Sequence, residues 1–244
     1  RIFGNLLHIV MEYFYKAALE TGGTVTADWI RNRRTEIPAL IDFAFRDLYK
    51  ISAEKSFNYE GQQVLVRTIL QEVAERIATL DMEYAPFTVV SLEQSHIRTW
   101  HNPISDNIMN VGGKIDRIDR KDTGGNTLLR VMDYKSGADR QNFLSIESMF
   151  LRDGKRNKAA FQTLLYAWLV RGEAGDRIQP GLLNRLNLFK EDFKFGLTIG
   201  TGESSDLVED ARPLLDEFEQ RLFGVLTEMT APDRSEEHTS ELQS

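Results

Sequence analysis

The apolar pattern of the chain changes its period near residue 85, and this change constrains the fold more than any other feature. Before it, apolar residues recur at helical spacing in 2–20, 39–49 and 60–79. After it, short β-branched segments alternate with turn signals. With 244 residues, the chain is long enough for one large domain, or for one domain with an appendage. The pattern predicts α/β architecture, as an α+β or mixed-sheet layer fold.

The strand-like segments between residues 87 and 134 are predicted to form an antiparallel meander. Asn102-Pro103 and Gly124-Gly125-Asn126 are turn signals between them. Gly22-Gly23 is expected to end the first helix, and Thr26 to cap a short second one. The predicted strands are 87–92, 97–100, 108–120, 127–134, 183–190 and 195–199, and the later helices are 157–171 and 207–229.

The composition excludes several classes of site. The chain has no cysteine, which removes disulfide frameworks, thiolate zinc sites, iron–sulfur clusters and cysteine nucleophiles. No signal peptide is visible, and no apolar run approaches the roughly 20 residues that span a bilayer. These features favour a cytoplasmic protein that does not enter a membrane.

Both ends of the sequence suggest a fragment. The chain begins with Arg1 inside an apolar-periodic segment, as if cut from a longer protein. Residues 234–244 have no core-facing period and resemble a translated sequencing adapter. We therefore predict a non-native tail at 234–244, exclude it from the fold, and discount His238 as a metal ligand.

The net charge of −7 argues against a protein that coats nucleic acid through bulk positive charge. The charge is uneven, because residues 98–158 carry twelve Lys and Arg against eight acids. The run 152–158 contributes four of these cations just before a predicted helix. It fits either a loop that holds backbone phosphates or an ordinary solvated loop.

Two carboxylates and one ammonium group are predicted to meet on the sheet. Asp133 and Lys135 alternate with Tyr134 on one strand and so share a face, and Asp116 lies on the strand across the Gly124 turn. Clustered carboxylates repel unless a cation lies among them, and Mg²⁺ prefers such oxygen ligands. A lysine beside the cation can orient the attacking water or neutralise charge on a phosphate. By itself, however, an Asp-x-Lys pair on a strand is usually a solvated face.

Four motifs in order raise the odds of a site. They are Gly4 with His8 and Glu12, the run Gly113-Lys-Ile-Asp-Arg-Ile-Asp119, the run Asp133-Tyr-Lys-Ser-Gly137, and the run Gln162-Thr-Leu-Leu-Tyr166. From about residue 3 to 190, the sequence resembles the RecB-like branch of the PD-(D/E)XK nuclease superfamily. Ser136 replaces the threonine of that branch.

The resemblance implies a restriction-endonuclease-like core, with a central sheet flanked by helices and an N-terminal helical region. The nuclease-like domain would cover 1–233, with the helical part at 1–80 and the core at 84–230. The implied catalytic residues are Asp116, Asp133, Lys135, Gln162 and Tyr166, and the implied metal ligands are His8, Asp116, Asp133 and the carbonyl of Tyr134.

Several residues keep a plainer alternative. His8 fits a satisfied buried histidine, and Tyr166 fits ordinary core. Asp119 is expected to be structural. Glu93 is expected at the surface, with an extra acidic ligand as the alternative. The Gly112-Gly113 pair lacks P-loop spacing and instead predicts a tight strand entry where backbone or ligand approaches closely.

The resemblance implies a Mg²⁺-dependent deoxyribonuclease, with Mn²⁺ as the alternative ion and no iron–sulfur cluster. Its partners would be DNA and a helicase-like region or subunit of a recombination or repair protein. The alternative is a non-catalytic DNA-binding or scaffolding module on the same fold. A remoter one is a hydrolase of another phosphate ester. Exonuclease and endonuclease action both stay open.

Overall fold

The computed structural model describes residues 2–52, 54–137, 139–152, 156–172, 177–185, 187–191, 193–201 and 205–231. Its helices are α1 (Ile2–Leu19), α2 (Ala27–Arg33), α3 (Ile37–Leu48), α4 (Gln62–Tyr84), α5 (Lys158–Leu169) and α6 (Arg212–Met229). Its strands are β1 (Thr24–Val25), β2 (Phe87–His101), β3 (Ile108–Thr123), β4 (Asn126–Lys135), β5 (Asn142–Phe143), β6 (Arg177–Asn184), β7 (Thr198–Ile199) and β8 (Asp206–Leu207).

In the described part of the chain, five strands form a mixed sheet in the order β1-β2-β3-β4-β6. The pairs from β1 to β4 are antiparallel, and β6 runs parallel to β4. Parallel neighbours need a crossover, and α5 lies in the connection between β4 and β6. A smaller sheet joins β5, β7 and β8. The predicted mixed-sheet α/β fold is confirmed.

Helices cover both faces of the main sheet and create two apolar cores. One core packs α1 to α4 against sheet residues such as Met132 and Tyr134. The other packs α5 and α6 against residues such as Ile118 and Val131. Val131 and Met132 are adjacent on β4 but enter different cores, as the period of a strand requires.

Helix boundaries follow from local hydrogen bonds. Thr26 Oγ1 accepts from the Trp29 amide at 3.1 Å, so the predicted cap of α2 is confirmed. α1 ends before Gly22 and Gly23, both with positive φ, and the Gly23 amide donates to the Ala18 carbonyl at 2.7 Å.

Two strand predictions were wrong in extent. The segments 87–92 and 97–100 belong to one strand, β2, because pairing with β3 continues across the polar residues between them. The strand predicted at 183–190 is β6, which begins at Arg177 and ends at Asn184. Pro180 is tolerated there because β6 is an edge of the main sheet, where one side needs no amide donor. Leu186 and the predicted tail 234–244 lie outside the described residues.

Among the described helices, none is long and apolar enough to cross a membrane.

A buried ion cluster fixes the helical layer to the sheet. Asp81 of α4 receives Nη2 of Arg117 at 2.8 Å on one oxygen and Nη2 of Arg130 at 2.7 Å on the other. Both guanidinium groups also contact Asp119, at 3.0 and 2.7 Å, and the Tyr15 hydroxyl donates to Asp81 at 2.5 Å. Burial alone would raise the pKa of Asp81, but the charges of Arg117 and Arg130 outweigh it and hold that pKa below its ordinary value. The expected structural role of Asp119 fits this position.

We predict that Asp81→Asn lowers the free energy of unfolding at pH 7 by about 3–5 kcal/mol, because it leaves two buried arginines with one carboxylate. The matched control is Asp28→Asn, which removes an exposed pair with Arg31 and should change stability by at most about 1 kcal/mol. Urea unfolding measures both, and equal losses would contradict the prediction. The Asp81 contribution requires the ionised carboxylate. The gap between wild type and Asp81→Asn should therefore shrink as the pH falls below about 4, the pKa of an unfolded Asp.

Candidate active site

The site lies where β3 and β4 stop pairing. The last residues that pair at this end of the two strands are Arg117 and Met132. Beyond them, the Asp116 carboxylate accepts a hydrogen bond from the β4 backbone in place of a β3 carbonyl. Asp116 Oδ2 accepts the amide of Tyr134 at 2.6 Å. The carboxylate is buried, and its orientation is therefore fixed by the backbone of the neighbouring strand.

Three potential ligands surround this point. His8 Nδ1, on α1, lies 3.3 Å from Asp116 Oδ1 and 3.0 Å from Glu93 Oε1. One ligand atom from each of His8, Glu93 and Asp116 falls within 4.8 Å of the others. Lys114 Nζ contacts the second Glu93 oxygen at 2.7 Å. One imidazole and two carboxylates thus converge from a helix and two strands.

Glu93 is the site residue that the sequence reasoning misplaced. Its side chain is only 10% exposed, so the expected surface position was wrong. It lies on β2 between Leu92 and Gln94, which pair with Arg117 and Ile115, and it therefore stands opposite Asp116. Its φ of 47° is unusual for a residue with a side chain and marks local backbone strain.

The charges of this cluster depend on one another. Burial lowers the pKa of His8, but the hydrogen bonds and charges of Asp116 and Glu93 outweigh it and raise that pKa to about 10. For Glu93, burial is likewise outweighed by His8 and Lys114, and the pKa is lowered. The Glu93 carboxylate is thus held ionised by positive charges beside it, which is the environment that a bound cation provides.

A second set of residues forms a hydrogen-bonded chain beside the first. Lys135 Nζ donates to Asp133 Oδ1 at 2.9 Å and to Gln162 Oε1 at 2.7 Å. Gln162 Nε2 donates to the Tyr166 hydroxyl at 2.6 Å. The predicted shared face of Gln162 and Tyr166 on α5 is therefore present, and this face holds the Lys135 ammonium against Asp133.

The pKa of Asp133 depends on residues of both groups, Asp116 of the first and Lys135 of the second. Burial raises its pKa, the Lys135 charge opposes this, and the Asp116 charge adds to it, so that the pKa of Asp133 reaches about 6. Its second oxygen lies 3.5 Å from Thr163 Oγ1. Asp133 is not part of the three-ligand cluster within the described residues. Its predicted metal ligation, like that of the Tyr134 carbonyl, stays a prediction.

Gly113 has a defined packing role. A Cβ at Gly113 would lie 2.6 Å from Cε1 of Tyr166, so only glycine lets the tyrosine ring reach the strand. The expected close approach at this glycine pair is present, but it lies inside β3 and not at a strand entry. Tyr166 is both core and site: its ring is buried, and its hydroxyl bonds Gln162.

Not all of the basic residues between 98 and 158 are exposed near the site. Arg117 and Arg130 are buried in the ion cluster with Asp81, so they are not available to bind phosphate. Of the basic run 152–158, Arg152 pairs with Glu228 of α6, and residues 153–155 lie outside the described part. The surface near the site is less basic than the counts suggested.

Comparison with known families now decides the relationship. The family model described as the PD-(D/E)XK nuclease superfamily matches residues 1–241. The chain belongs to the PD-(D/E)XK nuclease superfamily. Members of this superfamily are generally nucleases that use divalent metal ions, and membership implies a DNA substrate. No curated protein matches the chain significantly. The superfamily match runs into 234–241 and so gives the predicted non-native tail no support.

We predict that Gly113→Ala lowers the free energy of unfolding by about 1–3 kcal/mol, because the new methyl group overlaps the Tyr166 ring in a packed core. It should also displace Tyr166 from Gln162 and so disturb the support of Lys135. The control is Gly224→Ala in α6, where a Cβ meets nothing within 4 Å and stability should be unchanged or higher by up to about 1 kcal/mol. Denaturant unfolding compares the two, and equal stability would show that the ring yields without strain.

Proposed function

We propose that this chain is a Mg²⁺- or Mn²⁺-dependent deoxyribonuclease domain that hydrolyses phosphodiester bonds. The observation that carries the proposal is the convergence of His8, Glu93 and Asp116 next to the Lys135–Asp133 pair. One imidazole, buried carboxylates and an ammonium group gathered on the inner strands of the sheet and on α1 are groups that metal-assisted phosphate hydrolysis can use.

The donor set fits a divalent cation. Two carboxylates of the cluster supply the oxygen ligands that Mg²⁺ and Mn²⁺ prefer. His8 is 30% exposed and adds a nitrogen donor on the side open to solvent, so substrate can approach there. Under this proposal His8, Glu93 and Asp116 hold the ion, and Asp133 joins them as the superfamily resemblance implies. A bound cation would supply Lewis-acid polarisation of the phosphate and of the attacking water.

Other protein groups position the ligands and contact the phosphate. The Tyr134 amide fixes the Asp116 carboxylate through its 2.6 Å hydrogen bond. Lys135 is 21% exposed and places its ammonium group where it neutralises charge that develops on the phosphate. Gln162 and Tyr166 keep Lys135 aimed by the hydrogen-bonded chain. These two are positioning residues in this scheme, whereas Lys135 touches the substrate.

The finer assignment rests on sequence motifs. The Asp133-Tyr134-Lys135-Ser136-Gly137 run and the Gln162 to Tyr166 spacing support the RecB-like branch. The branch in turn supports a role in recombination or repair, next to a helicase-like region or subunit. Co-purification of the full-length gene product with DNA-dependent ATPase activity tests this context.

We predict that Asp116→Asn and Lys135→Ala each reduce Mg²⁺- or Mn²⁺-dependent cleavage of labelled DNA by about 10³-fold or more. The matched control is Asp122→Asn, an exposed carboxylate on the same strand, which should retain wild-type cleavage. Thermal unfolding should show that all three variants fold. Substrates are single-stranded, double-stranded and end-blocked DNA, which also separate exonuclease from endonuclease action.

The outcome also separates the proposal from its alternative. If the chain is a non-catalytic DNA-binding module, the wild-type protein will cleave none of these substrates. Its DNA binding will weaken with salt and will survive the Asp133→Ala substitution. A wild-type protein that binds DNA but shows no metal-dependent cleavage would therefore contradict the enzyme proposal.

Glu93 has a prediction of its own. Glu93→Gln should weaken Mn²⁺ binding by about 10- to 100-fold, since the amide keeps the shape but removes one ligand charge and the support of His8. Isothermal titration with Mn²⁺ measures the affinity directly, with Glu147→Gln, an exposed residue beyond β5, as the control. Unchanged affinity in Glu93→Gln would exclude this residue from the metal set.

A further inference from the structure

A cleft of about 930 Å³ opens at the N-terminal end of α5, the helix that carries Gln162 and Tyr166. It lies between the segment that carries β5 and the first turn of α5. Its described lining includes the buried Phe143 and the exposed Arg140, Leu144, Leu151, Arg156 and Lys158.

The walls of the cleft are held by one side chain. Asn157 Nδ2 donates to the carbonyls of Arg140 and Asn142, at 2.7 and 2.8 Å, while its Oδ1 accepts the Ala160 amide at 3.1 Å. The same residue thus caps α5 and ties it to the opposite wall. The cleft is therefore a preformed feature of the fold, which lowers the ordering cost for a ligand.

The cleft is positively charged. Arg140, Arg156 and Lys158 are exposed, and none forms an ion pair with another described residue. Asp139 is the one acid in the described lining. Arg152 differs from these three because it is engaged with Glu228 on α6.

The cleft adjoins the catalytic groups through α5. Lys158 precedes Gln162 by four residues, so the two share a helix face about 6 Å apart. Gln162 in turn hydrogen-bonds Lys135. A strand of DNA rises about 3.4 Å per nucleotide, so this distance corresponds to about two nucleotides.

We propose that this cleft binds the single DNA strand that extends from the phosphate being cleaved. Arg140, Arg156 and Lys158 hold successive phosphates, and Leu144 and Leu151, which are 59% and 48% exposed, contact sugars and bases without reading sequence. A duplex presents two backbones across a major groove about 12 Å wide, whereas the three cations line one cleft of about 930 Å³, so we assign them to one backbone. This inference rests on the proposed nuclease function of the neighbouring site.

The test compares two triple variants that remove the same charge. One carries Arg140→Gln, Arg156→Gln and Lys158→Gln. The other carries Lys16→Gln, Lys50→Gln and Lys55→Gln, which are exposed lysines of the N-terminal helical region. Fluorescence anisotropy with a labelled 12-nucleotide thymidine oligomer, in Ca²⁺ to avoid cleavage, reports binding at several salt concentrations.

The cleft variant should bind at least tenfold more weakly at 0.1 M salt. The slope of log K against log salt should fall by about 2, or 0.7 for each lost phosphate contact. The control variant should keep an affinity and a salt slope close to those of the wild type. Equal effects in the two variants, or an equal loss of duplex and single-strand binding by the cleft variant, would overturn the proposal.

Cleavage assays distinguish a failure here from a failure of the proposed function. With Mg²⁺ or Mn²⁺, the cleft variant should raise KM at least tenfold and leave kcat within about twofold, because the catalytic groups are untouched. An inactive wild type whose oligomer binding still depends on the cleft would refute the nuclease function alone. If the wild-type protein cleaves DNA and the cleft substitutions change neither KM nor oligomer binding, only the proposed role of the cleft is refuted.

Discussion

Two buried arginines connect the helical layer to the sheet, and the position of the site depends on them. Arg117 and Arg130 reach from β3 and β4 to Asp81 of α4, and Asp119 contacts both. Aromatic rings cover the guanidinium planes, with Tyr15 at 4.2 Å from Arg117 and Tyr84 at 3.6 Å from Arg130. Such a cluster is expensive to bury, and it tolerates burial only when its charges are matched. Through Tyr15 and Asp81 it docks α1 and α4 on the sheet.

This docking brings His8 to Asp116. Tyr15 lies two turns after His8 on α1 and donates to Asp81, so α1 contributes both to the buried ion cluster and to the group of His8, Glu93 and Asp116. Arg117 follows Asp116 directly in β3. A helix that shifted along the sheet would break the Tyr15–Asp81 bond and the His8–Asp116 contact together. The buried ion cluster thus helps to hold His8 of the N-terminal helix at a site built from the sheet.

The parts of the site that were predictable from sequence are those set by local period and spacing. Asp133 and Lys135 share a face because strands alternate, and Gln162 and Tyr166 share one because helices repeat every 3.6 residues. Their chemistry could be read without tertiary information. The same holds for the layer order of the fold, which follows from the change of period near residue 85.

The missed parts depend on pairing across the chain. Glu93 was misplaced because β2 was divided at residue 92, and a divided strand gives no register. A continuous hairpin about the turn at 102–107 would have set Glu93 opposite Asp116. The predicted strand began at residue 183 and so left out Pro180 and Gly181, although an edge strand accepts proline and the Phe195 ring packs on the glycine.

The burial of Arg117 and Arg130 has no local signal, since their partner Asp81 lies on a helix 36 and 49 residues away. This burial also changes the meaning of the net charge of −7. Cations in a sequence contribute to DNA binding only if they reach solvent, and among the described residues between 98 and 158 Arg117 and Arg130 do not. With the bulk charge negative, nonspecific attraction of DNA is weak over most of the surface. If the cleft binds a strand as proposed, Arg140, Arg156 and Lys158, which form no ion pair among the described residues, then have a larger share in attracting it. Under that proposal, an acidic protein of this kind would act on DNA through a local concentration of positive charge.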